Sequence, residues 1–355
     1  MPEIFVYNSP FKLESGIVLS GYHLAYTTYG ELNNSGTNVV WIFHALTANS
    51  NPLEWWPGLV GKGRLFDPSR YFIVCVNMPG SCYGSIGPLE FQRSASGTDS
   101  CWYHTFPFFT IRDMVHSYIP LRKMLGIENI HIGIGGSMGG QQLIEWAIVE
   151  PGLFEFIVPI ATNAFHSPWG IAFNASQRLC IEADTSWLDN NPVAGITGMK
   201  VARSVALISY RNYETYRLRQ SETSNEMTSG FRSESYQKYQ GEKLARRFNA
   251  FSYFKLSQSM DSHNVGRGRG NVKEALLKII ARALIIGIET DILFPKREQK
   301  FLARHISNSS LALIKSLYGH DGFLLENEQI GNLISTFVGS FHGAAGSSNK
   351  VNDNT

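Results

Sequence analysis

The chain is poor in cysteine, in net charge and in long apolar runs, and each shortage removes a class of function. Its four cysteines (Cys75, Cys82, Cys101 and Cys180) show no C-x-x-C spacing, so neither a zinc site nor a redox pair is expected, and no metal. Cys75 lies in an apolar run and reads as core. A formal charge of +2 at pH 7 leaves no electrostatic footprint for nucleic acid or for an anionic membrane. No window approaches the ~18 consecutive apolar residues of a membrane span. Met1-Pro2-Glu3-Ile4 lacks the basic and then apolar pattern of a secretory leader. These absences predict a soluble, reduced, cytoplasmic protein. What is present is material for a core: 43% hydrophobic and 12% aromatic residues over 355 positions. That suits one large α/β domain with room for an inserted subdomain.

The stretch from Asn129 to Gly140 organises the rest. The apolar run Ile130-His131-Ile132-Gly133-Ile134 reads as a buried parallel strand, and a helical pattern from Met138 to Ile148 follows it, closed by Pro151. Between them, Gly135-Gly136-Ser137-Met138-Gly139 is G-x-S-x-G, the strand-to-helix turn of a nucleophile elbow. Such a turn lifts a serine hydroxyl above the sheet, and bulky residues two positions away on either side would collide with strand or helix. The Met138 amide, at the helix start, points where an oxyanion would develop.

Other apolar runs repeat the theme. Val39–Phe43, Tyr71–Asn77, Phe154–Ala161 and Ala283–Ile288 read as buried strands, and Thr110-Ile111-Arg112-Asp113 has capping-box spacing ahead of a helix to about Leu125. Alternating strands and helices predict a mostly parallel central sheet flanked by helices. From 166 to 275 the rhythm changes to helical patterns without a buried strand, read as a helical lid inserted into a core of residues 1–165 and 276–342. Within it, Ser221 to Ser235 reads as a polar connection. A closing helix is expected from Phe323 to Phe341, and the small polar residues 343–355 as a disordered tail.

A serine hydroxyl needs an imidazole, itself held by a carboxylate. In this fold the chain order is Ser, then acid, then His. Asp291 follows the strand Ala283–Ile288 closely, whereas Glu289 directly abuts it. Of the later histidines, His305 lies on a helix and His342 near the terminus, while His320 sits in a tight loop between strand and helix. Ser137, Asp291 and His320 are therefore the expected triad. The second oxyanion donor should come from His44-Ala45-Leu46-Thr47, after strand Val39–Phe43, with Leu46 in place to offer its amide.

Together with the 80–88 loop, Thr110–Val115, the elbow, Gln177-Arg178, Ala202-Arg203, Ser209-Tyr210, Tyr239–Lys243, Val265–Gly268, Asp291–Pro295 and Gly319-His320-Asp321, these residues resemble the homoserine O-acetyltransferase family. The resemblance spans roughly residues 8 to 340. It implies an α/β-hydrolase fold with a helical lid. It also implies transfer of an acyl group from acyl-coenzyme A, a co-substrate rather than a resident cofactor, to the γ-hydroxyl of L-homoserine in methionine synthesis. By the same resemblance Arg203 binds the substrate carboxylate, Tyr210 lines the site and Asp321 holds the ammonium. An arginine fork and an aspartate suit a zwitterionic amino acid. A homodimer is implied as well. Gln141 and the loop Asn77-Met78-Pro79-Gly80-Ser81 depart from the family pattern and are expected near the acyl donor. They leave acetyl and succinyl donors both open. A serine O-acyltransferase and an esterase or thioesterase remain as alternatives.

Overall fold

The computed structural model describes residues 2–92 and 100–346. One sheet has strands β1 (Glu3–Tyr7), β2 (Tyr22–Tyr29), β3 (Val39–Phe43), β4 (Phe72–Val76), β5 (Ile130–Gly136), β6 (Phe154–Ile160), β7 (Arg282–Ile288) and β8 (Ser309–Ile314). Their spatial order is β1-β2-β4-β3-β5-β6-β7-β8. β2 runs antiparallel to β1 and β4, and the pairs from β4 through β8 are parallel. This is the α/β arrangement the alternating runs predict. Side chains alternate between faces: Val39, Trp41 and Phe43 join one apolar cluster with Tyr118 and Trp146, while Val40 and Ile42 join another with Trp56 and Phe323.

The helices follow local signals. α1 (Ile111–Met124) starts on Thr110, whose hydroxyl accepts from the Asp113 amide while Asp113 accepts from the Thr110 amide, a complete capping box. α2 (Met138–Val149) begins immediately after Ser137. Between β6 and β7 lie α3 (Pro168–Glu182), α4 (Ile196–Tyr210), α5 (Tyr213–Gln220), α6 (Arg232–Ala245), α7 (Ala250–Asp261) and α8 (Val272–Leu276), with no strand among the described residues. Ser167, Asn212, Asn249 and Asn271 each cap one of these with a side-chain oxygen, the usual device for satisfying first-turn amides. No described helix is long and apolar enough to cross a membrane.

The structure departs from expectation in three places. Helix α6 already begins at Arg232, inside the stretch read as a polar connection. After α9 (Lys296–His305), the closing helix is split into α10 (Gly322–Leu325) and α11 (Asn327–Gly346). Glu326 leaves helical geometry, and Trp56 Nε1 donates to the Phe323 carbonyl at 2.9 Å, the acceptor that a continuous helix would give to the amide of Asn327. Residues 343–346 continue α11 instead of starting a disordered tail, Ala344 and Ala345 being strong helix formers. Residues 347–355 lie outside the described residues.

The sheet fixes the elbow by contact. A Cβ on Gly139 would lie 2.1 Å from the Phe43 carbonyl oxygen, and one on Gly135 would lie 2.6 Å from the Gly139 backbone. The first turn of α2 thus rests directly on the end of β3. Gly139→Ala should cost about 2–3 kcal/mol, since backbone has to move to admit the methyl. Chemical denaturation checks this. A midpoint equal to that of the unmodified protein would contradict the packing of α2 on β3.

Candidate active site

Ser137 sits at the junction of β5 and α2 with φ 57 and ψ −126. A non-glycine residue in this left-handed region is strained by about 1–3 kcal/mol and persists only where its surroundings enforce it. They do. The Ser137 amide donates to the Ile160 carbonyl at 2.9 Å, and its carbonyl accepts from Gly140 N at 3.0 Å and Thr162 Oγ1 at 2.8 Å. The side chain is buried but not sealed from solvent.

His320 lies in a single 3-10 turn (Gly319–Asp321) after β8. Its Nδ1 is 2.7 Å from Asp291 Oδ2. The other oxygen, Oδ1, accepts from the amides of Leu293 and Phe294 at 2.8 and 2.9 Å, so the loop after β7 fixes the carboxylate from behind. Phe294 stacks on the imidazole at 5.1 Å between centroids, and Phe323 lies at 5.3 Å. A Cβ on Gly136 would strike the Phe323 ring at 2.3 Å, which brings the histidine turn against the elbow. Burial disfavours a charged ring here. The charge and hydrogen bond of Asp291, with Asp321 adding, outweigh it and hold the pKa above the usual histidine value. No hydrogen bond joins Ser137 Oγ to His320. Such bonds often form only with substrate in place.

Met138 directly follows the serine, and neither its amide nor that of Leu46, the two proposed oxyanion donors, donates to a protein acceptor among the described residues. The Leu46 loop is tied down by His44. Burial lowers the pKa of that ring to about 4, so it is neutral. Its Nε2 accepts from Met78 N at 3.1 Å and its Nδ1 donates to the Ala45 carbonyl at 2.9 Å.

On α4, the Arg203 guanidinium lies over the Tyr210 ring at 5.2 Å, and Tyr210 lies 5.8 Å from the His320 ring. Arg203 forms no ion pair among the described residues. Asp321 pairs through Oδ2 with Arg211 Nη2 at 3.1 Å. A chain of contacts therefore links Asp291, His320, Tyr210 and Arg203, with Asp321 next to His320. Among the described residues no group of three His, Cys, Asp or Glu side chains is arranged to hold a metal ion.

Comparison with known proteins places this geometry. The α/β-hydrolase fold model matches residues 38–327. A homoserine O-acetyltransferase of Cyclobacterium marinum is 45% identical over 335 residues, covering 94% of each chain. The chain belongs to the homoserine O-acetyltransferase family. Another member, from Trichormus variabilis, is 40% identical over 331 residues, 92% of this chain and 91% of that one. The crystal structure of a homoserine O-acetyltransferase from Bacillus anthracis matches with a TM-score of 0.85, covering 95% of this chain and 97% of that one at 22% identity. That of esterase E22 matches at 0.84, covering 95% and 99% at 20% identity. At such identities the structural likeness speaks for the fold alone.

Two groups around the proposed site escaped the sequence reading. Arg211 directly follows Tyr210 but shows its role only through its contact with Asp321. His44 stood in the quoted motif, yet nothing local marked its ring as the brace of the Leu46 loop. Gln141 takes part in the scaffold around the elbow. It is buried, and its Nε2 donates to Asn163 Oδ1 at 3.0 Å, while Asn163 Nδ2 donates to Glu298 Oε2 at 2.9 Å. Asn77 likewise serves the scaffold, accepting from Ser50 N at 2.8 Å and donating to the Tyr83 carbonyl at 2.8 Å.

The raised pKa of His320 has two consequences of opposite sense. Its charged form is favoured by the fold, so this stability is full below the unfolded value of ~6.5 and is lost as pH rises through the higher folded value. A general base must be neutral, so acylation should fall in acid with an apparent pKa above ~6.5. Asp291→Asn should move that limb to lower pH and cut the plateau rate by about 10⁴-fold. The pH profile of the acylation burst checks both. An unmoved limb would remove Asp291 as the group that sets the ring.

Proposed function

We propose that the protein transfers an acetyl group from acetyl-coenzyme A to the γ-hydroxyl of L-homoserine through an ester on Ser137. Membership of the family supports the reaction. The observation that carries the amino-acid acceptor is the unpaired Arg203, held over Tyr210 beside the proposed catalytic histidine, with a carboxylate at Asp321.

His320 takes the Ser137 proton as Oγ attacks the thioester carbonyl carbon, and the Leu46 and Met138 amides receive the oxyanion. On collapse the C–S bond breaks, and the coenzyme A thiolate takes the proton from His320. Homoserine then enters, its carboxylate on Arg203 and its ammonium on Asp321. His320 accepts the γ-hydroxyl proton as that oxygen attacks the ester, and returns it to Ser137 as the ester bond to the enzyme breaks. The lid limits access of bulk water, and the two charged anchors raise the effective concentration of the acceptor. The balance favours transfer over hydrolysis.

Arg203→Ala separates the half-reactions. Losing one charge-assisted contact in a desolvated site costs about 2–4 kcal/mol, or roughly a 30- to 1000-fold weaker use of homoserine. Formation of acyl-Ser137 should be nearly unchanged, so thiol release should show a full burst followed by slow leakage to water. Arg203→Lys should recover only part of the loss, because a point charge lacks the two-pronged geometry. Equal loss of burst and steady rate would remove Arg203 from the acceptor site.

A further inference from the structure

Next to the Arg211–Asp321 pair, the lid and the core line an open pocket of about 480 Å³ that the proposed chemistry does not use. Its wall includes Arg211, Arg219, Gln220, Tyr216, Tyr236 and Tyr318, and no carboxylate lines it. Arg211 binds Asp321 through Nη2, yet its Nε is buried without any acceptor. Arg211 also lines the pocket, so two arginines and no carboxylate surround one cavity. Arg219, one turn and more along α5, has a side chain with no ion pair or hydrogen bond among the described residues. Tyr216 and Tyr236 meet edge to face at 6.0 Å, and Arg211 lies over Tyr318 at 5.7 Å. Burial pushes the Tyr216 phenol up to about 12, and its hydroxyl donates to Gln237 Oε1 at 3.2 Å, which leaves its ring as the surface for a ligand.

We propose that this pocket binds a nucleoside phosphate, with phosphate oxygens on Arg211 and Arg219 and the base against the tyrosine rings. Guanidinium groups pair with phosphate in two-pronged fashion, and phenol rings offer faces for any base. The volume exceeds what a bare phosphate or acetate fills and falls in the range of small-molecule sites. The ligand has two sources: a free nucleotide, or the 3′-phosphoadenosine diphosphate end of the acyl donor. Only the second rests on the proposed reaction. Because Arg211 also holds Asp321, an anion in the pocket shares a guanidinium with the proposed ammonium anchor.

Binding is measured without turnover, by calorimetry of the full chain with adenosine 3′,5′-bisphosphate and with ADP. Saturable 1:1 binding should appear and weaken about tenfold or more in Arg219→Ala, one decade corresponding to about 1.4 kcal/mol. Tyr236→Ala should weaken it too, and both variants should retain the unfolding midpoint of the parent. Steady-state rates then assign the source. If the donor's own nucleotide end is the ligand, Arg219→Ala raises KM for acetyl-coenzyme A and leaves acetyl-pantetheine unchanged. If a free nucleotide is the ligand, KM for acetyl-coenzyme A stays, and added ADP shifts KM for homoserine. Absence of saturable binding, or equal binding by both variants and the parent, overturns the proposal whatever the fate of the reaction assigned to Ser137.

Discussion

The backbone of Ser137 is the constraint on which the remaining geometry depends. A serine at φ 57 is held there by its neighbours rather than by its own preference. Gly139 lets α2 rest on the Phe43 carbonyl, Ile160 takes the serine amide, and Thr162 takes its carbonyl. These contacts come from β3, β5 and β6, three adjacent parallel strands. The sheet therefore fixes Ser137, the proposed nucleophile, while Asp291 and His320 follow the ends of β7 and β8.

The helical insertion between β6 and β7 is coupled to the same helix that carries the elbow. Glu145 on α2 is buried between Arg112 of α1, at 2.7 Å, and Arg269 of the segment returning from the lid, at 2.6 Å. Glu14 extends the cluster to Arg112 and Arg267. Buried ion pairs add little net stability over apolar packing, but breaking one partner leaves an uncompensated charge. Their effect here is to tie α1, α2 and the lid exit in one register. A second link runs from Gln141 through Asn163 to Glu298, whose carboxyl burial raises to about 7. The helix that carries the elbow is thus tied to the segment before α8 through Glu145 and to α9 through Gln141 and Asn163.

Much of this was legible in the chain. Ser137, Asp291 and His320 carry local signals: glycines around a serine, an acid just beyond an apolar run, a histidine in a glycine turn. Thr110 and Asp113 announced their helix in the same way. Arg203, Tyr210 and Asp321 were placed by family likeness instead, since a lone arginine on a helix carries no local mark. Arg211, the ring of His44 and the buried side chain of Gln141 were not legible, because each acts through a partner distant in sequence or through burial. The break between α10 and α11 has the same origin: Trp56 reaches across the fold to a carbonyl that local propensity would assign to a helix.

Isotope exchange tests the central claim, an acyl-enzyme on Ser137 formed before homoserine binds. Labelled coenzyme A should exchange into acetyl-coenzyme A in the complete absence of homoserine, and Ser137→Ala should abolish that exchange. Exchange that appears only when homoserine is present would show direct transfer in a ternary complex and would contradict the account.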